Sequence, residues 1–331
     1  MNRHLFVLLI LMFMLFESCN DEFSVNAPQE DVYILNCILQ NTSSIQYAII
    51  SNNVYTKDGG FPNPDNNIDQ NITGADVKIF YNDSVFVMKD TTIQLTDNGN
   101  LITVNCYYTN KLKIAPGKGI SAEATLPDGQ TLKSEIQVPE ISFGKSFSPN
   151  FPQILNSGYN EKPSYSWNWI GDTESMTNIS NLPQLEIYYQ QYEDGAFVNK
   201  KVFVPLVKYF ILDEHGNLIP VKVDMSFEDD CLTTLETVNE TMQAISENDP
   251  YKSNYIINKV LFSVTGLDPD LARFYFAYNT FIQDFTIKIR QTDYSNIEGG
   301  KGIFGAYYKF SKSLVIDILY IRSFGYRYEP M

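Results

Sequence analysis

Ala75-Asp-Val-Lys-Ile-Phe-Tyr81, then the turn Asn82-Asp83, then Val85-Phe-Val-Met88, is the stretch on which the fold turns. Ala75, Val77, Ile79 and Tyr81 fall on one side of an extended chain, with Asp76 and Lys78 on the other. Asn and Asp tolerate positive φ, so Asn82-Asp83 predicts a two-residue turn between paired strands. A strand, a tight turn and a returning strand form a β-hairpin, the unit from which antiparallel sheets are built.

The same pattern extends both ways. Upstream, Val32-Tyr-Ile-Leu-Asn-Cys-Ile-Leu39 is almost continuously apolar, which suits a strand covered on both faces. Gln46 to Tyr55 is a second strand, and the Gly-, Pro- and Asn-rich text after Lys57 is a long loop. Downstream come Thr91–Leu95, Leu101–Tyr107, Gly119–Leu126 and Thr131–Val138, with Asp97-Asn-Gly99 and Pro127-Asp-Gly129 as turns. About seven or eight short strands predict an immunoglobulin-like or transthyretin-like β-sandwich over residues 31–139.

Pro139, Pro149, Pro152 and Pro163 mark a boundary. Residues 140–331 then read as a second antiparallel β domain carrying helices near 230–246 and 269–282. Its strands are Tyr165–Ile170, Leu185–Gln191, Val202–Ile211, Leu218–Val223, Tyr255–Thr265, Phe285–Ile289, Tyr307–Phe310 and Leu314–Tyr320. Asp229 or Asp230 is the expected cap of the first helix, with Leu232, Leu235, Val238, Met242 and Ile245 on its buried stripe. Asp268-Pro269-Asp270 opens the second with a cap, a proline at the first helical position and an acid at the positive dipole end. Leu271, Phe274, Tyr275, Tyr278, Phe281 and Ile282 are its expected stripe.

The N-terminus carries an address. Arg3 precedes twelve apolar residues, Leu5 to Phe16, and then Glu17-Ser18-Cys19. The run is too short for a membrane-spanning helix, which needs roughly 20 residues. It fits a lipoprotein signal over 1–18, with Cys19 as the acylated residue and 19–30 as a tether. The acids at Asp21 and Glu22 are candidate signals for surface export.

Composition narrows the partners. The chain of 331 residues has a net charge of −15, and losing residues 1–18 removes one Arg and one Glu, leaving that value unchanged. Nucleic acid is an unsuitable partner, because tracking a phosphate backbone needs clustered Lys and Arg. Cys37, Cys106 and Cys231 form no CxxC pair. Cys37 and Cys106 both fall in predicted strands of the first half, so they are either a disulfide or two buried thiols.

Catalytic and cofactor signatures are weak. Gly300-Lys-Gly302-Ile-Phe-Gly305 spells GxGxxG, yet strand text follows it where a dinucleotide site needs a helix. The expected role is a glycine corner where backbones approach closely. Asp65, Asn67, Asp69, Thr73 and Asp76 have calcium-loop spacing, but Gln70 stands where the turn wants glycine and Asp76 where a bidentate Glu belongs. No metal and no cofactor are expected. His215, the one histidine after the signal, sits in a predicted hairpin turn and lacks a triad context. Trp167, Trp169, Tyr188 and Tyr189 are either sugar-stacking or core residues, the core being the commoner fate of strand aromatics. Asp83-Ser84-Val85 and Asp90-Thr91-Thr92 resemble short O-glycosylation motifs.

Taken with the acylated cysteine, the Val32-rich strand, the Gly74-Ala-Asp-Val-Lys-Ile79 strand start and the Asp268–Ile282 helix, one late segment is familiar: Asn296-Ile-Glu-Gly-Gly-Lys-Gly-Ile-Phe-Gly-Ala-Tyr307. Together they resemble the Bacteroidota outer-membrane lipoproteins filed as a domain of unknown function, DUF4249, over residues 19–320. Lys301 stands where a small apolar residue is commoner. The resemblance marks Asn296, Gly299, Gly300, Gly302 and Gly305 as a structural signature and implies no catalytic residues. It implies an outer-membrane protein, facing the cell surface or the periplasm, and a TonB-dependent transporter as partner. The expected function is a non-enzymatic accessory binding subunit of such an uptake system. The alternatives are an adhesin or envelope scaffold, and a secreted hydrolase.

Overall fold

The computed structural model describes residues 32–53, 70–97, 100–143, 164–171, 180–215, 217–223, 230–277 and 294–330. The first half supplies β1 (Val32–Gln40), β2 (Gln46–Asn53), β3 (Gln70–Asn71), β4 (Asp76–Tyr81), β5 (Ser84–Val87), β6 (Lys89–Asp97), β7 (Asn100–Thr109), β8 (Gly119–Thr125) and β9 (Thr131–Gln137). The second supplies β10 (Ile141–Phe143), β11 (Ser164–Gly171), β12 (Ser180–Glu193), β13 (Ala196–Val204), β14 (Val207–Leu212), β15 (Leu218–Lys222), β16 (Asp230–Thr234), β17 (Tyr255–Leu267), β18 (Lys301–Leu314) and β19 (Arg327–Tyr328). Helices α1 (Leu235–Ala244), α2 (Pro269–Ala277) and α3 (Ile318–Ser323) complete the described elements. The fold is mainly β, as the alternation predicts, and no described helix is long and apolar enough to cross a membrane.

One large sheet organises the molecule, in the order β13-β12-β17-β18-β1-β2-β7-β6, with β3 beside β2 and β19 beside β17. A four-stranded sheet, β5-β4-β8-β9, and a five-stranded sheet, β10-β11-β16-β14-β15, accompany it. The hairpin of the opening stretch is present: Asn82 and Asp83 have φ of 47° and 57° and join Tyr81 to its partner Ser84.

Alternation along β18 shows how the layers stack. Phe304 lies in a core with Leu35, Leu39, Ile50, Val77, Ile79 and Leu132, which joins the large sheet to the four-stranded one. Phe310, an even number of residues along the same strand, packs against a second core built from Trp167, Trp169, Leu185, Phe262 and the α1 residues Val238 and Met242. Positions separated by an even number share a face, so both smaller sheets cover the same side of the large one. The odd positions, Ile303, Gly305, Tyr307 and Lys309, face the other side, where α2 packs Leu271, Phe274 and Tyr275 over Ile303 and Tyr307.

The boundary at 139/140 does not divide this sheet. β1 pairs in parallel with β18, from Ile34 opposite Lys301 to Gln40 opposite Tyr307, and antiparallel with β2 on its other edge. This explains the near-continuous burial of β1, whose two faces are both covered.

Several local expectations need correction. The single strand predicted over Val202–Ile211 is two strands, broken at Pro205, which has no N–H for the ladder. The strand predicted over Leu314–Tyr320 ends at Leu314; Asp317 then caps α3 by accepting the Leu319 N–H at 2.7 Å. Asp230 belongs to β16 and does not cap α1; Thr234 does, its hydroxyl accepting the Thr237 N–H at 3.1 Å. Asp229, the Phe285–Ile289 strand and the stripe residues Tyr278, Phe281 and Ile282 lie outside the described residues.

The Cys37–Cys106 bridge is not formed: Cys37, Cys106 and Cys231 are free and buried. Cys37 aligns with Ala48 and Ala48 with Tyr107, so Cys106 points to the opposite face, beside Ile49 and Val104, two strands away. Thiols on opposite faces of a sheet, with strands about 4.8 Å apart, cannot bridge without breaking the ladder.

Candidate binding face

β12 and β13 form a long hairpin closed by Asp194 and Gly195, both at positive φ, between the paired residues Glu193 and Ala196. Its register sets Glu186 opposite Phe203, Tyr188 opposite Lys201, Gln190 opposite Asn199 and Tyr192 opposite Phe197. All eight side chains share the face of the large sheet that carries α2, and Lys259 of β17 and Lys309 of β18 project from it too.

At the centre is a buried carboxylate. Glu186 is fully buried; its Oε1 accepts from Lys201 Nζ at 2.9 Å and its Oε2 from Lys309 Nζ at 3.0 Å. Lys309 Nζ also reaches Gln184 Oε1 at 3.3 Å. Burial alone would raise the Glu186 pKa; the two ammonium groups outweigh it and hold the carboxyl below its usual range. Lys309 is largely covered, with 21 % of its side chain exposed, whereas Lys201 is exposed to 48 %. Glu186 thus fixes Lys201 by one end while leaving much of it in solvent.

Around this triad the cations lie over aromatic rings. Lys201 sits 4.8 Å from the Phe203 ring centroid, Lys259 4.9 Å from that of Tyr188, and Arg327 5.2 Å from that of Phe197. Phe197 packs on Tyr192 at 5.2 Å, and Gln190 Nε2 donates to Asn199 Oδ1 at 3.0 Å. Tyr192, Phe197 and Phe203 remain close to half exposed.

A second exposed feature is the β14–β15 hairpin. Tyr209, Ile211 and Ile219 are about half exposed and Leu212 is 68 % exposed. At its tip Asp213 Oδ1 accepts the N–H groups of His215 and Asn217 at 2.9 and 2.7 Å, which makes His215 part of an exposed turn.

The glycine signature is a structural joint. Asn296 copies a strand partner: its Oδ1 accepts the Phe304 N–H at 2.9 Å and its Nδ2 donates to the Phe304 carbonyl at 2.7 Å. Gly302 has φ +112°, and a Cβ there would stand 2.2 Å from the Leu35 carbonyl oxygen. Gly305 has no positive φ; its constraint is α2, since a Cβ would stand 2.9 Å from Leu271 Cβ and 3.1 Å from Asp268 Oδ2. Gly299 and Gly300 press close to the backbones of Thr131 and Tyr33. Residues 301–314 form a strand, so the GxGxxG text opens no helix and makes no dinucleotide cradle.

Cys19, Asp21 and Glu22 lie outside the described residues, as do Asp65, Asn67 and Asp69 of the calcium-loop spacing. Of the remainder, Asp76 pairs with Lys78. Among the described residues no three His, Cys, Asp or Glu side chains converge as a metal site. Trp167 and Trp169 are core residues; Tyr188 and Tyr189 are half-buried on opposite faces of β12. Ser84 is exposed and Thr91 half-buried. No protein-family model matches the chain, and no curated protein is similar enough to match it.

Glu186, Lys201, Phe203 and Lys309 escaped the sequence reading. The alternation around Glu186 and Lys201 carries a signal, because opposite charges favour facing positions in a hairpin. Lys309, 123 residues from Glu186 in sequence, is brought near only by the order of the strands.

Proposed function

We propose that the protein is a lipid-anchored outer-membrane binding protein of the DUF4249 kind, acting without catalysis as an accessory subunit of a TonB-dependent uptake system. The observation that carries this reading is the β14–β15 hairpin. Tyr209, Ile211 and Ile219 expose apolar surface on one face of the hairpin that ends a small sheet, Ile211 and Ile219 being paired across it, and contiguous exposed apolar surface marks protein-interaction sites. Acylation at Cys19 would place this hairpin near the membrane. A leash of about ten residues reaches at most about 35 Å, and tethering raises the effective concentration of a weak binder.

The test is affinity purification from membranes under several mild detergents, followed by mass spectrometry. Recovery with an outer-membrane barrel, lost in Ile211→Asp with an unchanged melting temperature, supports the reading. Recovery of the protein alone under every detergent overturns it. A hydrolytic rate abolished by one carboxylate substitution would favour the hydrolase.

A further inference from the structure

We infer that the face formed by β12, β13, β17 and β18 binds an acidic carbohydrate chain. The inference rests on reading the protein as a binding subunit, and it names the chemistry of what is bound.

Charge on this face runs against the rest of the molecule. The chain carries −15 overall, so an anion is repelled at a distance. Among the described side chains projecting from these four strands on this side, Glu186 is the one carboxylate, and its two oxygens are occupied by Lys201 and Lys309. Lys259, and Arg327 of the neighbouring β19, add two more cations. The surplus is positive, and it is local.

The accompanying groups favour a sugar over an acidic peptide or a bare anion. Tyr192, Phe197 and Phe203 offer partly exposed rings with a cation beside two of them. A ring takes the C–H face of a sugar, and the adjacent cation takes its carboxylate. Between the aromatic ends, Gln190 and Asn199 supply amide donors and acceptors suited to hydroxyls. From Phe197 to Phe203 is six residues of strand, about 20 Å, so the strip suits a chain of several rings. The Glu186 clamp holds Lys201 in place before a ligand arrives, which lowers the ordering cost of binding.

The experiment is calorimetric titration of the full chain in detergent with oligogalacturonate, with a neutral maltooligosaccharide of equal length, and with polyglutamate. Oligogalacturonate is expected to bind and to weaken with salt, and Lys259→Ala and Phe203→Ala each to lower its affinity at least about fivefold with unchanged melting temperatures. Lys201→Ala should lower the affinity too, with a lower melting temperature because the buried Glu186 keeps only one of its two ammonium partners. Equal binding of the neutral sugar overturns the acidic assignment, and equal binding of polyglutamate overturns the carbohydrate assignment. No binding of any of the three probes overturns the site. Loss of sugar binding alongside an intact transporter complex condemns this inference alone; sugar binding without any transporter condemns the accessory-subunit reading alone.

Discussion

Asp268 and Ala306 exchange two hydrogen bonds: the Asp268 N–H donates to the Ala306 carbonyl at 3.0 Å, and the Ala306 N–H donates to Asp268 Oδ2 at 2.5 Å. The other carboxylate oxygen accepts the Asp270 and Leu271 N–H groups at 2.9 and 3.2 Å, capping α2. One side chain thus ends β17, starts α2 and grips β18.

Burial pushes the Asp268 carboxyl up to about 7, against the opposing pull of its three backbone donors. A carboxyl raised on folding binds more protons folded than unfolded between its ordinary value of 3.8 and about 7, so its contribution falls as pH rises through that window. Thermal melts between pH 4.5 and 7 should show stability declining with pH, and Asp268→Asn should flatten that slope. An unchanged slope in the variant would assign the decline to another group.

Glu186 has the opposite sign. Its folded pKa is lowered, so its contribution is complete above the unfolded value of 4.5 and disappears as pH falls through the folded one. Glu186→Gln removes the charge facing the largely covered Lys309. The expected cost is about 2–3 kcal/mol at neutral pH, shrinking on acidification. Denaturant titrations of both proteins at pH 7 and pH 3 check it.

Gly302→Ala combines a left-handed φ with a clash against backbone and should cost about 3 kcal/mol or more. Gly305→Val acts differently, by pushing Leu271 and α2 away from β18. Its melting temperature should also fall, with amide-exchange protection lost first in α2.

Burial pushes the Cys37 thiol up to about 12 and that of Cys106 up to about 11, and raises that of Cys231. All three should resist alkylation in the native protein and react after denaturant, without prior reduction. Alkylation that requires a reductant would reveal a disulfide.

Local chemistry was legible wherever neighbours in sequence decide it. Asn82-Asp83 turns as its residues demand, and Asp268-Pro269-Asp270 opens a helix. The strand at Tyr307–Phe310 was equally readable, although β18 already begins at Lys301, inside the GxGxxG text. Pairings decided by remote partners were not. Nothing near Val32 announces that Lys301–Tyr307 will lie beside β1, and nothing near Glu186 announces Lys309. The face of a strand is likewise legible only once its register is known, which is why Cys37 and Cys106 could be considered for a bridge that opposite faces forbid.

The β1–β18 pairing also dictates an order of events. β1 is made well before its parallel partner, 267 positions earlier for Ile34 and Lys301. Closing so long a loop before any contact rewards it slows folding. Until Lys301–Tyr307 is available, β1 presents an apolar strand with one bare edge, the kind of surface that templates aggregation. The central sheet therefore cannot close until Lys301–Tyr307 has been made, and the early strands have to be kept from other partners until then.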